Sequence, residues 1–384
     1  MPSSRKSELA ELSKEIFLAI GKLTGQVSSP MVREKLAELV RTMNCYYSNL
    51  IEGHQTLPRD IERAQKEDFS HEPDKLNNQL LGFAHIKVEK SLLDNVAESE
   101  VYNTEFLRRI HRDFYQNLPS HMQVGLTKSG EEFQIIPGEF RDFMVDVGKH
   151  VPPHYGSLEA FLERFFQFYR DPAQILATDL LVAIAAAHHR LVWIHPFGDG
   201  NGRVARLWST VLLAKHQLNS DGLWSLSRGL ARSRRRYFEV LENADQTRLN
   251  DLDGRGNLTD RGLTDFCQYF LETILDQVNF MGDLLNLEDL RNRIEKYFNF
   301  ELPRLGKDAG RLGKIVSMLA IEGQFPRSRV QEIIGKGETL SRKLIKTGLQ
   351  EGVFESPSEK GPLVIAFPEK VLESYFPRLY IESR

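Results

Sequence analysis

The side chains of this chain most suited to chemistry fall in one segment, residues 195–206, which reads HPFGDGNGRVAR. Gly198, Gly200 and Gly202 carry no side chain, so backbone N–H groups there can approach a ligand closely. Asn201 is a good helix N-cap, and the residues after it, VARLWSTVLLAKH, repeat apolar side chains at helical spacing. A glycine loop that opens a helix offers free N–H groups and a favourable dipole to an anion such as phosphate. Asp199 puts a carboxylate into that anion site, where phosphates would repel it unless a hard cation bridged them, so Mg2+ is implied. Arg203 and Arg206 are three apart and share a helix face, from which both guanidinium groups can reach terminal phosphates. His195, pushed out of helical geometry by Pro196, is a titratable base suited to accept a proton from an attacking hydroxyl. Anion cradle, metal carboxylate, cationic clamp and base are the parts of phosphoryl or nucleotidyl transfer. The bland alternative is a capped loop before a helix, and four chemical roles within twelve residues weigh against it.

Such a loop needs elements to hold it, and helical spacing dominates the chain. Helices are expected at 5–23, 31–51, 76–93, 103–116, 157–169, 172–190, 202–216, 228–243, 260–283 and 286–298. Pro30, Ser157 with Glu159, and Asp171 before Pro172 are start signals. Residues 132–147, EFQIIPGEFRDFMVDV, interrupt this pattern with β-branched and aromatic residues around Pro137-Gly138 and read as a hairpin. The stretch 251–257 is a glycine-rich loop. After 301–310 the pattern becomes three short helices (309–322, 326–334, 338–350) and two β-like stretches (353–355, 363–367), the order of a winged helix-turn-helix module.

Composition narrows the class. A chain of 384 residues is expected to form two or three domains. Its 41% hydrophobic and 27% charged residues are ordinary for a globular protein, and a net charge of −3 provides no bulk attraction to nucleic acid or membrane. Cys45 and Cys267, the two cysteines, have no C-x-x-C spacing, which excludes a disulfide framework and fits a reducing compartment. The N-terminus lacks a signal-peptide stretch, and the apolar run 175–194 contains Asp179, His188, His189 and Arg190. A buried core helix, no membrane partner and a cytoplasmic location are the expectations. No P-loop GxxxxGK[ST] is present, so the usual ATPase reading lacks support.

With Arg206, HPFGDGNGR matches HPFx[D/E]GNGRxxR, the signature of the Fic family, at every specified position, and the chain resembles that family over most of 40–285. The resemblance implies a mainly α fold with a β-hairpin flap and transfer of AMP from ATP to a protein hydroxyl; the GNGR form favours AMP over UMP or a phosphoryl group. It implies that His195 deprotonates a Ser, Thr or Tyr and that Asp199 holds Mg2+ on the α and β phosphates. Gly200, Asn201 and Gly202 would line the anion hole beside Gly198. Arg203 and Arg206 would grip the outer phosphates, with Phe197 as a buried anchor.

The first helical region ends in SNLIEG, where Ser48 and Glu52 share a face and Gly53 is a helix stop. This is similar to the inhibitory motif [S/T]xxxE[G/N] of the same family. By that resemblance Glu52 pairs with Arg206 in place of the γ-phosphate and holds the enzyme off. In some relatives the glutamate also positions water to remove AMP. Residues 138–153 resemble the flap, whose Gly138, Glu139, Phe140 and Arg141 would dock a target peptide by its edge. Tyr237, Phe238 and Asp245 stand where the family forms its adenine pocket, although some relatives carry Asn at the last position, and an Asp lacks the amide donor. The five arginines from Arg228 to Arg236 read by default as a solvated helix face.

Two patterns are set aside. Adjacent His188 and His189 point apart and do not share a metal. The loop from Asp251 lacks calcium ligands, with Arg255 and Gly262 at positions that require oxygens. From 304 to 384, fourteen Lys or Arg face ten Asp or Glu, and the helix 338–350 carries Arg342, Lys343 and Lys346, enough for a few phosphate contacts. The domain expectation is an N-terminal helical region with the inhibitory motif (1–104), a catalytic domain (105–285), and a linker helix with a winged-helix module (286–384). Expected partners are ATP, a target protein or the chain itself, a second copy, and DNA through the C-terminal module. The alternative function is a nucleotide-sensing regulator that binds DNA or protein.

Overall fold

The computed structural model describes residues 1–127, 129–169 and 176–380. The helix start expected at Asp171-Pro172 lies outside them. The chain is mainly helical. It opens with α1 (Lys6–Gln26), α2 (Pro30–Ile51), α3 (Pro58–Gln65), α4 (Pro73–Asn95) and α5 (Thr104–Tyr115). After a short hairpin come α6 (Leu158–Tyr169), α7 (Ala177–Ile194), α8 (Asn201–Lys215), α9 (Leu226–Arg232), α10 (Arg234–Ala244) and α11 (Asp260–Leu284). Proline occupies the first position of α2, α3 and α4, where its fixed φ suits a helix and its missing N–H is not needed. Asn103 caps α5 by accepting from Phe106 N at 2.9 Å, and Ser225 caps α9 from Arg228 N at 3.1 Å.

Contacts divide the chain into two compact units. The first comprises Met1–Ala19, Asn44–Asn219 and Ser225–Gln277; the second comprises Ile20–Met43, Ser220–Trp224 and the chain from Val278 onward. In the first, α7 and α8 pack together, and α8 also meets α4 and α5. α7 is apolar and long enough to pass for a membrane span by composition, yet most of it, from Leu181 to His189, is buried in protein. Trp208 on α8 is fully buried and donates Nε1 to the Val101 carbonyl at 2.9 Å. Deleting so large a buried side chain costs roughly 3–5 kcal/mol.

The hairpin differs from its expected place. Strand β1 (Val124–Leu126) pairs antiparallel with β2 (Glu132–Gln134), so the turn lies near Gly130 rather than at Pro137-Gly138. Gly125 faces Phe133, whose ring fills the space of the missing Cβ. Residues 135–146 form no strand. Gly138, with φ of +85°, instead donates its N–H to His111 Nδ1 at 2.9 Å. The helix expected at 228–243 is broken at Ser233 into α9 and α10, and α3 has no counterpart among the expected elements.

In the second unit, α12 (Leu287–Lys296) packs against α13 (Lys307–Glu322). There follow β3 (Gln324–Phe325), α14 (Arg329–Ile334), α15 (Glu338–Glu351), β4 (Phe354–Glu355), β5 (Leu363–Ile365) and α16 (Glu369–Tyr375). The three strands form an antiparallel sheet in the order β3-β5-β4. Gly348 on α15 leaves room for the Phe354 ring, which locks that helix to the sheet.

Candidate active site

The loop between α7 and α8 is built by its neighbours in sequence. His195 ends α7 in the left-handed region (φ 50°, ψ 62°), as the proline after it requires a departure from the helix. Gly200, with φ of +78°, takes the N-cap position of α8, so Asn201 is the first helical residue rather than the cap expected of it. Its amide has another task. Oδ1 accepts from Phe197 N at 2.9 Å and Nδ2 donates to Phe197 O at 2.8 Å, closing a bracket across the loop. Phe197 is fully buried and stacks on His111 with centroids 4.0 Å apart.

The His195 imidazole is held in one tautomer. His195 Nδ1 lies 3.2 Å from the Val192 carbonyl, so Nδ1 carries the proton and Nε2 keeps its lone pair. Burial pushes its pKa down to about 4, only partly opposed by the Val192 bond, with the Arg141 charge adding to the fall. The ring is neutral at neutral pH and able to accept a proton.

The anion side is occupied from α2. Arg206 is 2% exposed; its Nε donates to Ser48 Oγ at 3.0 Å and its Nη2 to Glu52 Oε1 at 2.5 Å. Glu52 Oε1 comes so close to α8 that a Cβ at Gly202 would stand 2.6 Å from it. The carboxylate therefore lies at the N-terminal turn of α8, the positive end of that helix. Burial opposes its ionised form, but Arg206 and then Arg203 outweigh burial and hold the carboxyl at about 2. Gly53 follows with φ of +91° and ends α2. Arg203 is buried beside this pair with its Nε lacking any hydrogen-bond partner, while its guanidinium lies over the Phe114 ring at 5.3 Å. An orphaned cationic donor beside a glycine loop fits an oxyanion ligand.

Asp199 is exposed, and its Oδ2 accepts from Tyr115 OH at 2.5 Å. Burial and the Asp199 charge hold the Tyr115 phenol well above its ordinary range, so it remains a donor. No cluster of three His, Cys, Asp or Glu side chains occurs among the described residues. A lone oriented carboxylate fits Mg2+ bound mainly by the phosphates of a nucleotide, as this ion prefers, and not an all-protein cage.

The remaining candidates separate. Phe133 on β2 and Phe143 close over Gly198, where a Cβ would meet them at 2.7 and 3.1 Å. Glu139 pairs with Arg108 at 3.1 Å, and Phe140 lies under that guanidinium and 5.2 Å from Phe197. Arg141 turns inward and is 4% exposed. None of Gly138, Glu139, Phe140 or Arg141 lies on a paired strand. Tyr237 is buried and its hydroxyl meets His188 Nε2 at 2.8 Å, while Phe238 is exposed and stacked with Arg234. Asp245 pairs with buried His189 at 3.1 Å. His188 and His189 thus serve separate partners, as their adjacency demands. Asp253, at the calcium-like loop, caps α11 by accepting from Asp260 N and Arg261 N, both at 3.0 Å.

Sequence spacing overlooked Tyr115, His111 and Arg234. The first two lie four apart on one face of α5, a pattern that was available but had no local link to the loop. Within the arginine run, Arg232, Arg235 and Arg236 make only surface pairs. Arg228 is buried on Gln277, and Arg234 donates to the Ile51 carbonyl at 2.8 Å, capping the end of α2.

Comparison with known proteins accords with this arrangement. Residues 101–213 match the Fic/DOC family. A protein adenylyltransferase Fic of Culex quinquefasciatus is 44% identical over 106 residues, covering 28% of this chain and 21% of that protein. A namesake from Nematostella vectensis is 31% identical over 176 residues, covering 44% and 36% respectively. The chain thus spans well under half the length of these curated relatives. A Fic domain containing signaling protein from Bacteroides thetaiotaomicron superposes with a TM-score of 0.54 at 18% identity, over 70% of this chain and 95% of that one. A Fic family protein from Desulfovibrio desulfuricans gives 0.51 at 14%, over 93% and 96%. At such identities the superpositions speak for the fold alone, while the sequence match includes the loop between α7 and α8: a Fic domain lies within residues 101–213 of this chain.

Proposed function

We propose that the chain transfers AMP from Mg-ATP to a hydroxyl of a target protein or of itself, and that Glu52 holds this activity off at rest. The observation that carries the reading is the Glu52–Arg206 pair inside a phosphate-shaped site whose own base, His195, is neutral and fixed in one tautomer. His195 Nε2 takes the proton of the Ser, Thr or Tyr hydroxyl as its oxygen bonds to the α-phosphorus and the bond to pyrophosphate breaks. Arg203 and the loop N–H groups receive the phosphate oxygens, and Gly202 admits them because it has no side chain. Asp199, oriented by Tyr115, would hold Mg2+, which when bound neutralises phosphate charge. Exposed Leu126, Ile136 and Met144, on the hairpin and the segment after it, offer apolar contact to a target peptide.

The test incubates wild type, Glu52→Gly and Glu52→Gly/His195→Ala with each of the four α-labelled nucleoside triphosphates and lysate. Label from ATP alone, raised in the first variant and lost in the second, supports the reading. Equal label in both variants overturns it. Washing labelled target back into wild-type protein then tests whether Glu52 also promotes AMP removal.

A second reading takes α13, β3, α14, α15, β4 and β5 of the C-terminal unit as a winged helix. It is favoured by a groove of about 1040 Å3 beside α14 and α15, bordered by Arg327, Arg342, Lys346 and Lys360 as well as Glu359 and Glu338, the last paired with Arg342. Its basic side chains would contact the phosphates of duplex DNA. Steeply salt-dependent binding of the chain to DNA supports this, and no binding at low salt ends it.

A further inference from the structure

Arg141 is a buried cation with no acidic partner among the described residues. Its three side-chain nitrogens donate to three backbone carbonyls: Nε to His195 at 2.8 Å, Nη1 to Phe143 at 3.0 Å and Nη2 to Pro153 at 2.6 Å. Its own N–H donates to the Pro196 carbonyl at 3.0 Å. Withdrawing a guanidinium from water is costly, and carbonyl dipoles compensate it less fully than a carboxylate would. A neutral side-chain amide has two N–H donors on one nitrogen and cannot serve three carbonyls, so this staple has no neutral substitute. It grips the two residues at the turn where the base sits.

That turn needs holding. His195 is a non-glycine residue with positive φ, a conformation that persists only where the surroundings impose it. α7 holds the residue from one side, through His195 N to Leu191 O at 3.1 Å and Nδ1 to Val192 O at 3.2 Å. Arg141 holds it from the other. We infer that Arg141 is the positioning residue of the base: by binding the carbonyls of His195 and Pro196 it fixes the left-handed turn and thereby the direction of the His195 Nε2 lone pair. The inference deepens the AMP-transfer reading and rests on His195 being its base.

The test is made in the Glu52→Gly background, with Arg141→Ala and Arg141→Lys added separately. It reads kcat and KM for ATP, the thermal midpoint, and the 15N shifts of the His195 ring. Since a misplacement of about 1 Å can cost on the order of 100-fold in rate, Arg141→Ala is expected to lower kcat by roughly that factor. ATP KM should stay within about twofold, because the phosphate grip lies on α8. The His195 nitrogens should change from a single Nδ1–H tautomer to a mixture. Lysine keeps the charge but lacks the three spread nitrogens of the guanidinium, and should recover part of both effects. A lower thermal midpoint with kcat and the tautomer unchanged would show a loop staple only and overturn the inference. If the alanine variant does not fold, the lysine variant decides on the same readouts. If the Glu52→Gly parent transfers no label, the AMP-transfer reading falls, and the 15N shifts alone decide whether Arg141 orients the ring.

Discussion

The two sides of the loop between α7 and α8 are secured in opposite ways. On the phosphate side, Arg206 is held by charge and hydroxyl partners from α2, a helix end 154 residues away in sequence. On the base side, His195 is held by carbonyls and a buried arginine from segments that directly flank the loop in space. An anion can exchange for another anion, so the first arrangement can be undone by a ligand of the same charge. The second offers nothing for a ligand to compete with. The proposed brake and the proposed base thus share one loop but rest on different kinds of bond.

The largest way to break this contrast is on the base side. In the Glu52→Gly background, His195→Ala should lower AMP transfer by roughly 10²- to 10⁴-fold, measured as label from α-labelled ATP. Next, Glu52→Gly alone should raise transfer on the order of 10- to 100-fold, the pair being partly exposed and therefore discounted for solvent. Ser48→Ala removes one hydrogen bond from Arg206, about 1 kcal/mol, and should raise transfer only several-fold in the same assay. Tyr115→Phe should leave the fold intact and raise the Mg2+ concentration needed for half-maximal rate a few-fold, since Asp199 loses its orienting donor.

The smallest expected effect is that of pH. His195 titrates near 4 in the folded chain against an ordinary 6.5, so its neutral form contributes stability in full above 6.5, a contribution that shrinks as pH falls toward 4. The kcat/KM profile of Glu52→Gly should accordingly stay flat from pH 6 to 8, with its acid limb well below 6.5. Glu52 is also depressed, to about 2, so its pairing is complete above ordinary carboxylate values and weakens only as pH falls through about 2. Mild acid should not release the brake; an acid limb near 6.5, or release at pH 5, would contradict the geometry.

What was legible in sequence follows the same division. The loop could be read because glycines, carboxylate, arginines and base are contiguous and each constrains the next. The partnership of Glu52 with Arg206 could not be derived from spacing and came from resemblance alone. The hairpin was misplaced because Pro137-Gly138 has turn chemistry, while the positive φ of Gly138 serves a hydrogen bond to His111 instead. Arg234 read as a surface charge and Arg141 as part of a docking flap because nothing in a linear sequence marks which carbonyls a guanidinium will meet. The break at Ser233 and the short α3 are likewise decided by packing, which overrides local propensity.

The bracket that Asn201 closes on Phe197 has a consequence for how this molecule can be switched at all. A loop stitched together before any ligand arrives has already surrendered its conformational entropy during folding, so nucleotide need not order it. A loop with no disorder to lose also cannot serve as its own gate. Under the proposed brake, control is then applied from outside the loop, at the end of α2.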